Sequence, residues 1–189
     1  MIVLSPLEKI AHWKSQIDQL TKEFVFAFGE LSKDELNWKP DAKTWSIAQN
    51  IDHLIVINSS YFKTFSDIAE GRHTEPFLGR LGFLVCFFGR FIHESVKPDR
   101  RKKTKTFSIW EPEQSQMNGD ILSRFERHHS ELKAWIDRSE TALKNRRTIS
   151  SPANYWIVYR LEKAFQIIID HEKRHGIQAK ELLAIMNVN

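Results

Sequence analysis

Apolar residues recur at intervals of three and four along most of the chain, with polar residues between them. This period places apolar side chains on one face of an α-helix, so the pattern predicts helices. Ser5 with Glu8 and Ser46 with Gln49 form capping-box patterns at the starts of two of these stretches. The predicted long helices are helix one over about 6–28, helix two from 46 toward 71, helix three from 112 to before 145, and helix four from 152 almost to the C-terminus.

A shorter apolar segment lies between predicted helices two and three. Residues 77–92 are rich in Phe and Leu, but Arg80 and Arg90 interrupt them, and they fall short of the roughly 20 residues that a membrane span requires. We expect an extra short helix here, either buried or facing a dimer partner. No stretch shows the apolar-polar alternation of a strand, so no sheet is expected. Four long helices joined by loops predict an all-α antiparallel four-helix bundle.

The composition favours a single cytoplasmic domain. The chain has 189 residues, of which 41% are hydrophobic, and no Gly/Ser-rich or Pro-rich linker divides it, so we expect one domain over residues 1–189. The N-terminus resembles a helix start rather than a secretory signal, and no membrane partner is expected. The single cysteine, Cys86, lies among apolar residues and is expected to behave as a small, inert apolar group, which fits a reducing compartment.

Positive charge is concentrated in one short run. The formal net charge is +4, and the run from Arg100 to Lys105 contains five cationic residues. Such a run can bind the phosphates of a nucleic acid. Only Phe107 and Trp110 follow it as aromatic residues, and no known nucleic-acid-binding module is matched. A solvated loop is therefore the favoured interpretation, and a nucleic-acid-associated protein is the least favoured function.

Predicted helix four contains two histidines, His171 and His175, separated by four positions. On a helix they lie about 6 Å apart along the axis on nearly the same face, so they can bind one metal ion. Leu161, Ile168 and Leu182 share this face, which directs the pair toward the interior of the bundle. The alternatives are that both are core histidines satisfied by hydrogen bonds, or that the pair arises by chance on a surface face.

The same five residues fit the His-Glu-x-x-His pattern of zinc metalloproteases, in which the Glu is the general base. A protease also needs a third ligand. The fourteen residues after His175 contain no His, Asp or Cys, although Glu181 is available. Glu172 projects about 100° around the helix from His171, and we expect it to form a surface salt link. A protease is therefore disfavoured.

Residues 45–54, with the sequence WSIAQNIDHL, resemble the start of the metal-binding helix in the DinB/YfiT-like superfamily. In that superfamily a Trp-Ser pair opens helix two, and a His follows seven residues after the Ser. A His-x-x-x-His pair, with a Gln three residues later, lies on the last helix. The matching residues here are Ser46, His53, His171, His175 and Gln178. The resemblance spans most of the chain in the order of its elements.

This resemblance implies a four-helix bundle in which His53, His171 and His175 hold one divalent metal ion, commonly zinc or nickel, and often a homodimer. It also implies an enzyme related to thiol-dependent transferases, isomerases or hydrolases. Such a site would activate a low-molecular-weight thiol for attack on an electrophilic small molecule, or water for hydrolysis. The alternative is a non-catalytic binding or structural protein that the metal stabilises.

The sequence marks no side chain as a catalytic acid or base. Four residues are expected to line the pocket: Asn50 and Ile57 beside His53, Trp156 at the start of helix four, and Gln178 after the histidine pair. The other histidines are expected to be solvated or to cap helices: His12, His73, His93, His128 and His129.

Overall fold

The computed structural model describes residues 4–99, 108–112 and 116–187. Its helices are α1 (Pro6–Phe28), α2 (Lys33–Asn37), α3 (Ile47–Ser59), α4 (Phe62–Ala69), α5 (Gly82–Val96), α6 (Ile121–Asp137), α7 (Glu140–Lys144) and α8 (Leu161–Met186). Two strands, β1 (Thr148–Ser151) and β2 (Asn154–Arg160), form a hairpin, and 3-10 turns occupy Phe77–Arg80 and Ser108–Trp110. The basic run Arg100 to Lys105 lies outside the described residues.

The predicted capping boxes are formed. The Ser5 hydroxyl accepts a hydrogen bond from the backbone N–H of Glu8, and the Glu8 carboxylate accepts one from the N–H of Ser5. Ser46 and Gln49 make the same reciprocal pair at the start of α3. Each box satisfies backbone N–H groups that have no partner inside the helix. The sequence therefore predicted the starts of α1 and α3 correctly.

Helices α1, α3, α6 and α8 form the predicted all-α four-helix bundle. Helices α1 and α3 each pack against both α6 and α8, so α1 and α3 lie on a diagonal although they follow each other in the chain. Lys9 pairs with Glu162 near the start of α1 and α8. Glu23 pairs with Lys180 farther along the same two helices. Helix α1 therefore runs parallel to α8.

The other contacts set the remaining directions. Asn50 of α3 meets His175 of α8, and the later residue Asn58 meets the earlier residue Glu172. Helix α3 is therefore antiparallel to α8. Contacts between α1 and α6 also run in opposite order, through Lys14 with Asp137 and Asp18 with Lys133. Helices α3 and α6 consequently run in the same direction. The bundle therefore has two antiparallel and two parallel neighbour pairs, so it is all-α and four-helical as predicted but not antiparallel throughout.

Helix α5 is the predicted extra helix between helices two and three. Because α3 and α6 run in the same direction, the chain between them must return along the length of the bundle, and α5 makes part of this return. It packs against β2 and α8. Gly89 allows a close approach, since a Cβ there would lie 3.3 Å from atoms of Tyr159 and Lys163. Near its end, Nε2 of His93 lies 2.7 Å from Oδ2 of Asp170, so this histidine is a hydrogen-bond partner of α8 rather than a solvated or capping residue.

The opposite face of α5 is exposed. Phe83, Phe87 and Phe91 follow one another at intervals of four residues, and 60–70% of each side chain is accessible. Cys86 lies on the same face and is exposed, so of the two expected positions for this helix, buried or dimer-facing, the structure does not give the first. Only Val85 and Gly89 of this helix are buried. This mostly apolar segment therefore presents one face to the protein and another to the surface.

The prediction that the chain has no sheet was wrong. Strands β1 and β2 pair antiparallel, with Ile149 opposite Tyr159 and Thr148 opposite Arg160. Residues 155–159 are aromatic or β-branched, which is the side-chain type that favours strands. The predicted start of helix four at Pro152 was also wrong. Pro152 lies in the hairpin turn, and α8 starts at Leu161.

Two other predicted helices were too long. Predicted helix two is divided into α3 and α4 at Ser60 and Tyr61, where the buried Tyr61 hydroxyl lies 2.7 Å from that of Tyr159 in β2. Predicted helix three begins at Ile121 rather than near 112, because Gly119 and Asp120 form a turn. No helix among the described residues has the length and apolar character needed to cross a membrane.

We predict that Phe165→Ala lowers the free energy of unfolding by about 3–5 kcal/mol, because the substitution leaves a cavity in the core. Phe165 is fully buried, and its ring centroid lies 5.1 Å from those of both Trp13 and Phe65. Denaturant unfolding followed by circular dichroism measures the change. Phe26→Ala is the control, since Phe26 is 93% exposed and its removal should alter stability by less than about 0.5 kcal/mol. Equal losses in both variants would contradict the described packing.

Candidate metal centre

Two helices bring three imidazoles together. His53 lies in the middle of α3, and His171 and His175 lie one turn apart on α8. One ring nitrogen from each residue falls within 4.8 Å of the corresponding nitrogens of the other two. His53 and His175 are buried, whereas His171 is half-buried. The three residues that the sequence singled out therefore form one cluster with a side that solvent can reach.

Hydrogen bonds determine which nitrogen of His53 and His175 is free. The Nδ1 atom of His53 lies 2.7 Å from the carbonyl oxygen of Trp110, which can only accept, so Nδ1 carries the proton. The Nδ1 atom of His175 lies 2.8 Å from Oδ1 of Asn50. The Asn50 amide donates to the carbonyl of Ser46, so its oxygen faces the imidazole. In the neutral form both histidines therefore keep a free Nε2 lone pair, as metal-binding histidines commonly do.

His171 completes the group. Its Nε2 atom lies 3.1 Å from Nε2 of His175, which has no proton of its own to donate in the neutral form. Either a proton on His171 or a cation shared by the two rings satisfies that pair of nitrogens. Three neutral nitrogen donors suit a divalent transition metal such as zinc, nickel or copper. The donor set and the fixed Nδ1 protons of His53 and His175 thus fit a metal ion.

Burial keeps the three imidazoles neutral. It is the largest cause that lowers the pKa of His53, although the Trp110 carbonyl partly offsets it. Burial also lowers the pKa of His171 and His175 well below the ordinary value, and the neighbouring imidazoles lower it further. Because a metal binds the unprotonated nitrogen, a neutral cluster can bind an ion near pH 7 without first losing charge.

Trp45 covers one side of the cluster. Its ring centroid lies 5.0 Å from that of His53 and 6.1 Å from that of His175, and it stacks on the second of these. The Trp45-Ser46 pair therefore has two roles, since Ser46 caps α3 and Trp45 contacts the histidines. The sequence motif contained Trp45, but its place beside the cluster was not predicted. The carbonyl of Trp110 was also missed, because nothing in a sequence marks a backbone acceptor.

The predicted lining residues lie in different environments. Asn50 contacts His175 directly. Ile57 and Gln178 are half-buried and lie about one turn beyond the ligands on α3 and α8. Trp156 lies in β2 rather than at the start of the last helix, and 63% of its side chain is exposed. Because a helix start was predicted at Pro152, Trp156 was expected on the last helix instead of on β2.

Glu172 does not form the surface salt link that was expected. It is fully buried, and its Oε1 atom accepts a hydrogen bond of 2.6 Å from Asn58 and lies 3.2 Å from Nε2 of His129. The carboxylate therefore points into the core toward α6. A metalloprotease needs this carboxylate beside the metal. The His-Glu-x-x-His pattern thus matches in sequence but not in the geometry that a protease requires.

Two further histidines are also buried, contrary to prediction. His129 and His128 are 1% and 5% exposed on α6. His128 stacks on Phe62, and burial lowers its pKa to about 4. His12 is exposed, as expected. His73 is half-buried, with its Nε2 atom 2.9 Å from the carbonyl of Thr148.

Comparison with known families identifies the fold. The family model of the DinB superfamily matches residues 16–179. The chain belongs to the DinB superfamily. The resemblance seen in the Trp-Ser, His and His-x-x-x-His motifs is therefore confirmed.

A solved structure supports the fold of this DinB-superfamily chain. YfiT from Bacillus subtilis, described as "a probable metal-dependent hydrolase with an unusual four-helix bundle topology", is similar with a TM-score of 0.54 and 15% sequence identity. The similarity covers 99% of this chain and 92% of YfiT. None of the curated proteins matches the chain.

We predict that the purified protein contains about one divalent metal ion per chain and that His171→Ala removes it, because only two ligands would remain. Elemental analysis after growth and dialysis with added metal measures the content. His12→Ala is the control, since His12 lies on the exposed face of α1. Metal absent from the parent protein, or retained in full by His171→Ala, would contradict a three-histidine centre.

Proposed function

We propose that this chain is a metal-dependent enzyme that activates a low-molecular-weight thiol, or water, for attack on an electrophilic small molecule. One observation carries the proposal. Among the described residues, three imidazoles gather without a fourth protein ligand. Structural zinc sites use four protein ligands, whereas catalytic sites use three and leave a position for water or substrate. The donor set has the composition of a catalytic centre.

Zinc or nickel is the proposed ion, because imidazole is a suitable ligand for both. A divalent ion held in this way lowers the pKa of a bound water or thiol and so supplies a nucleophile near neutral pH. His53 and His175 orient the site through Nδ1 bonds to Trp110 and Asn50. These bonds fix the ring planes and leave Nε2 directed at the cluster.

The surrounding residues indicate how a substrate reaches the centre. His171 is half-buried, so the open side lies at this residue rather than at the buried His53 and His175. Trp45 is also half-buried and presents an aromatic face beside the cluster. An apolar or flat electrophile can pack on this ring while the nucleophile approaches from the His171 side. Trp45 also excludes water from part of the centre.

A thiol suits this site better than water does. Among the described residues no carboxylate lies beside the histidines as a free base, since Glu172 is in the core and Asp52 pairs with Arg124 at 3.2 Å. A free thiol has a pKa of about 8.5, against about 15.7 for water, so a thiol needs a much smaller shift and no protein base. Hydrolysis is the second candidate, supported by the description of YfiT.

A non-catalytic role is the third candidate. The cluster joins α3 to α8, so a bound ion would also hold these helices together. An ion at 1,000 times its dissociation constant stabilises the folded state by about 4 kcal/mol. A purely structural ion would show this stabilisation without any turnover.

The metal-loaded protein is expected to accelerate the reaction of a thiol with a chloronitroarene electrophile. Cysteine, glutathione and 2-mercaptoethanol are tested in turn, with product absorbance as the measurement. His171→Ala should lose at least about 100-fold of the rate through loss of the ion, and His12→Ala should retain it. A parallel assay with a nitrophenyl ester and no thiol tests for hydrolysis.

The two assays and a melting curve separate the three candidates. Thiol-dependent turnover that His171→Ala abolishes supports the transferase, and thiol-independent ester hydrolysis supports the hydrolase. Metal that raises the melting temperature but yields no turnover in either assay favours the structural role and contradicts the enzyme.

We also propose a cytoplasmic location. The only cysteine of the chain, Cys86, is exposed and free, and an exposed thiol persists best in a reducing compartment. Neither nucleic acid nor a membrane is needed by the proposed chemistry.

The homodimer expected from the sequence is proposed to form through the exposed face of α5. Phe83, Phe87 and Phe91 form one apolar stripe on this helix. Two copies that pair antiparallel about Phe87 bring Phe83 of each against Phe91 of the other. The stripe is thus complementary to itself in this register.

We predict that the parent protein is a dimer at micromolar concentration and that Phe87→Glu makes it a monomer, because two carboxylates would face each other within the apolar stripe. Light scattering after size exclusion measures the mass. Phe26→Glu is the control, since Phe26 is exposed on α1, away from the stripe. A monomeric parent protein, or a dimer that survives Phe87→Glu, would exclude this interface.

A further inference from the structure

A polar cluster lies inside the bundle, apart from the three ligands. Glu172 of α8 accepts a hydrogen bond of 2.6 Å from the Asn58 amide of α3 and lies 3.2 Å from His129 of α6. His129 in turn lies 2.6 Å from the Thr21 hydroxyl of α1. Glu172, Asn58 and His129 are 0–1% exposed. All four helices of the bundle therefore meet at one polar point.

The direction of the bonds follows from the groups involved. The Thr21 hydroxyl donates to the carbonyl of Ile17 at 2.8 Å, so in its contact with His129 the Nδ1–H donates and Thr21 accepts. The Nε2 atom of His129 lies 3.2 Å from Glu172 Oε1, and a proton on one of these two atoms makes this contact a hydrogen bond. His129 is therefore held from both sides, between α1 and α8, and has one ring orientation.

The cluster is not expected to make the fold more stable than an apolar core of the same volume would. Two of its acceptor atoms have no hydrogen-bond partner among the described residues, namely Asn58 Oδ1 and Glu172 Oε2, and the same holds for Nε2 of the adjacent His128. Buried polar groups that are only partly satisfied cost free energy, and apolar residues of similar volume often replace them without loss. The cluster instead restricts how α8 is rotated about its axis, because the Glu172 carboxylate meets Asn58 at only one rotation of this helix.

That restriction acts on the metal centre. Glu172 directly follows His171 and comes three residues before His175. Asn58 lies five residues after His53 on α3, about 7.5 Å along the axis. The bond between Asn58 and Glu172 therefore ties together the two helices that supply all three ligands. A rotation of α8 that carries its histidines away from His53 also pulls Glu172 away from Asn58.

We propose that Glu172 is a positioning residue for the three-histidine centre. Its buried bond to Asn58 sets the rotation and depth of α8 relative to α3, and so holds His171 and His175 opposite His53. This inference rests on the metal-dependent function proposed above. Glu172 touches neither the ion nor the substrate in this role.

Metal affinity should depend on whether the bond to Asn58 is kept. Glu172→Met replaces the carboxylate with an apolar chain of similar size and should weaken zinc binding about 10–100-fold, as losses of supporting bonds around metal ligands do. Its metal-free melting temperature should also fall, because the buried Asn58 amide loses its acceptor, so affinities are compared at a temperature where each variant is folded. Glu172→Gln keeps an acceptor for Asn58 and should bind zinc within about threefold of the parent. Competition with a chromophoric chelator measures the affinities.

A core variant supplies the matched control. Phe165→Ala lowers stability through a cavity on the same helix but leaves the Asn58 bond intact, so its zinc affinity should match that of the parent at a temperature where it is folded. Nitrogen NMR of the metal-free protein gives a second readout. Glu172→Met should alter the ring signals of His171 and His175, whereas Glu172→Gln should not.

The outcomes distinguish this inference from the proposed function. If the parent protein binds no metal, the proposed function fails first. If the parent binds zinc and Glu172→Met binds it equally well, the positioning role is overturned while the function stands. Equal losses in the Met and Gln variants would also overturn it, because the Gln variant retains the bond. Should Glu172→Met not fold, Asn58→Ala removes the same bond from α3 and is expected to give the same loss.

Discussion

The packing of α3 against α8 is the constraint on which the centre depends. One ligand belongs to α3 and two belong to α8, so the three nitrogens meet only at one relative depth and rotation of these helices. Two hydrogen bonds set that arrangement at neighbouring levels. Asn50 of α3 meets His175 of α8 at the level of the ligands. Asn58, about two turns later on α3, meets Glu172, about one turn earlier on α8. Antiparallel packing is what allows both bonds at once.

The course of the chain supports α8 from several sides. Because α3 and α6 run in the same direction, the connection between them returns along the bundle, and α5 lies in this connection. Helix α5 packs behind α8, where His93 pairs with Asp170 and the Arg174 side chain donates to the carbonyl of Ser95. Helices α1, α3 and α5 thus all contact the helix that carries two ligands. Asp170, next to His171, and Arg174, next to His175, are both held by α5.

Burial has two effects at the centre, and both favour metal binding. It lowers the pKa of His53, His171 and His175, so the rings are neutral where a metal needs a free lone pair. It also requires each buried N–H to have a partner, which Trp110 and Asn50 provide. The ring orientation therefore follows from the same desolvation that makes the rings good ligands.

Features that depend on neighbours three or four positions apart could be predicted from the sequence. Capping boxes, the helical period and the spacing of His171 and His175 are local, so they predicted α1, the start of α3 and two ligands on one face. The family motif added His53. The prediction failed where one local pattern fits two structures. A Ser-Pro pair can open a helix or lie in a turn, and Pro152 lies in the turn of the hairpin.

The residues that meet across the bundle could be identified only from the packing of the helices. Glu172 and His129 have polar side chains on helices with polar faces, and their burial follows from four helices that meet at one level. The ring of Trp45, just before the start of α3, and the carbonyl of Trp110, in the 3-10 turn Ser108–Trp110, both contact His53. These contacts join residues far apart in sequence, and their energies depend on desolvation, which no local pattern records.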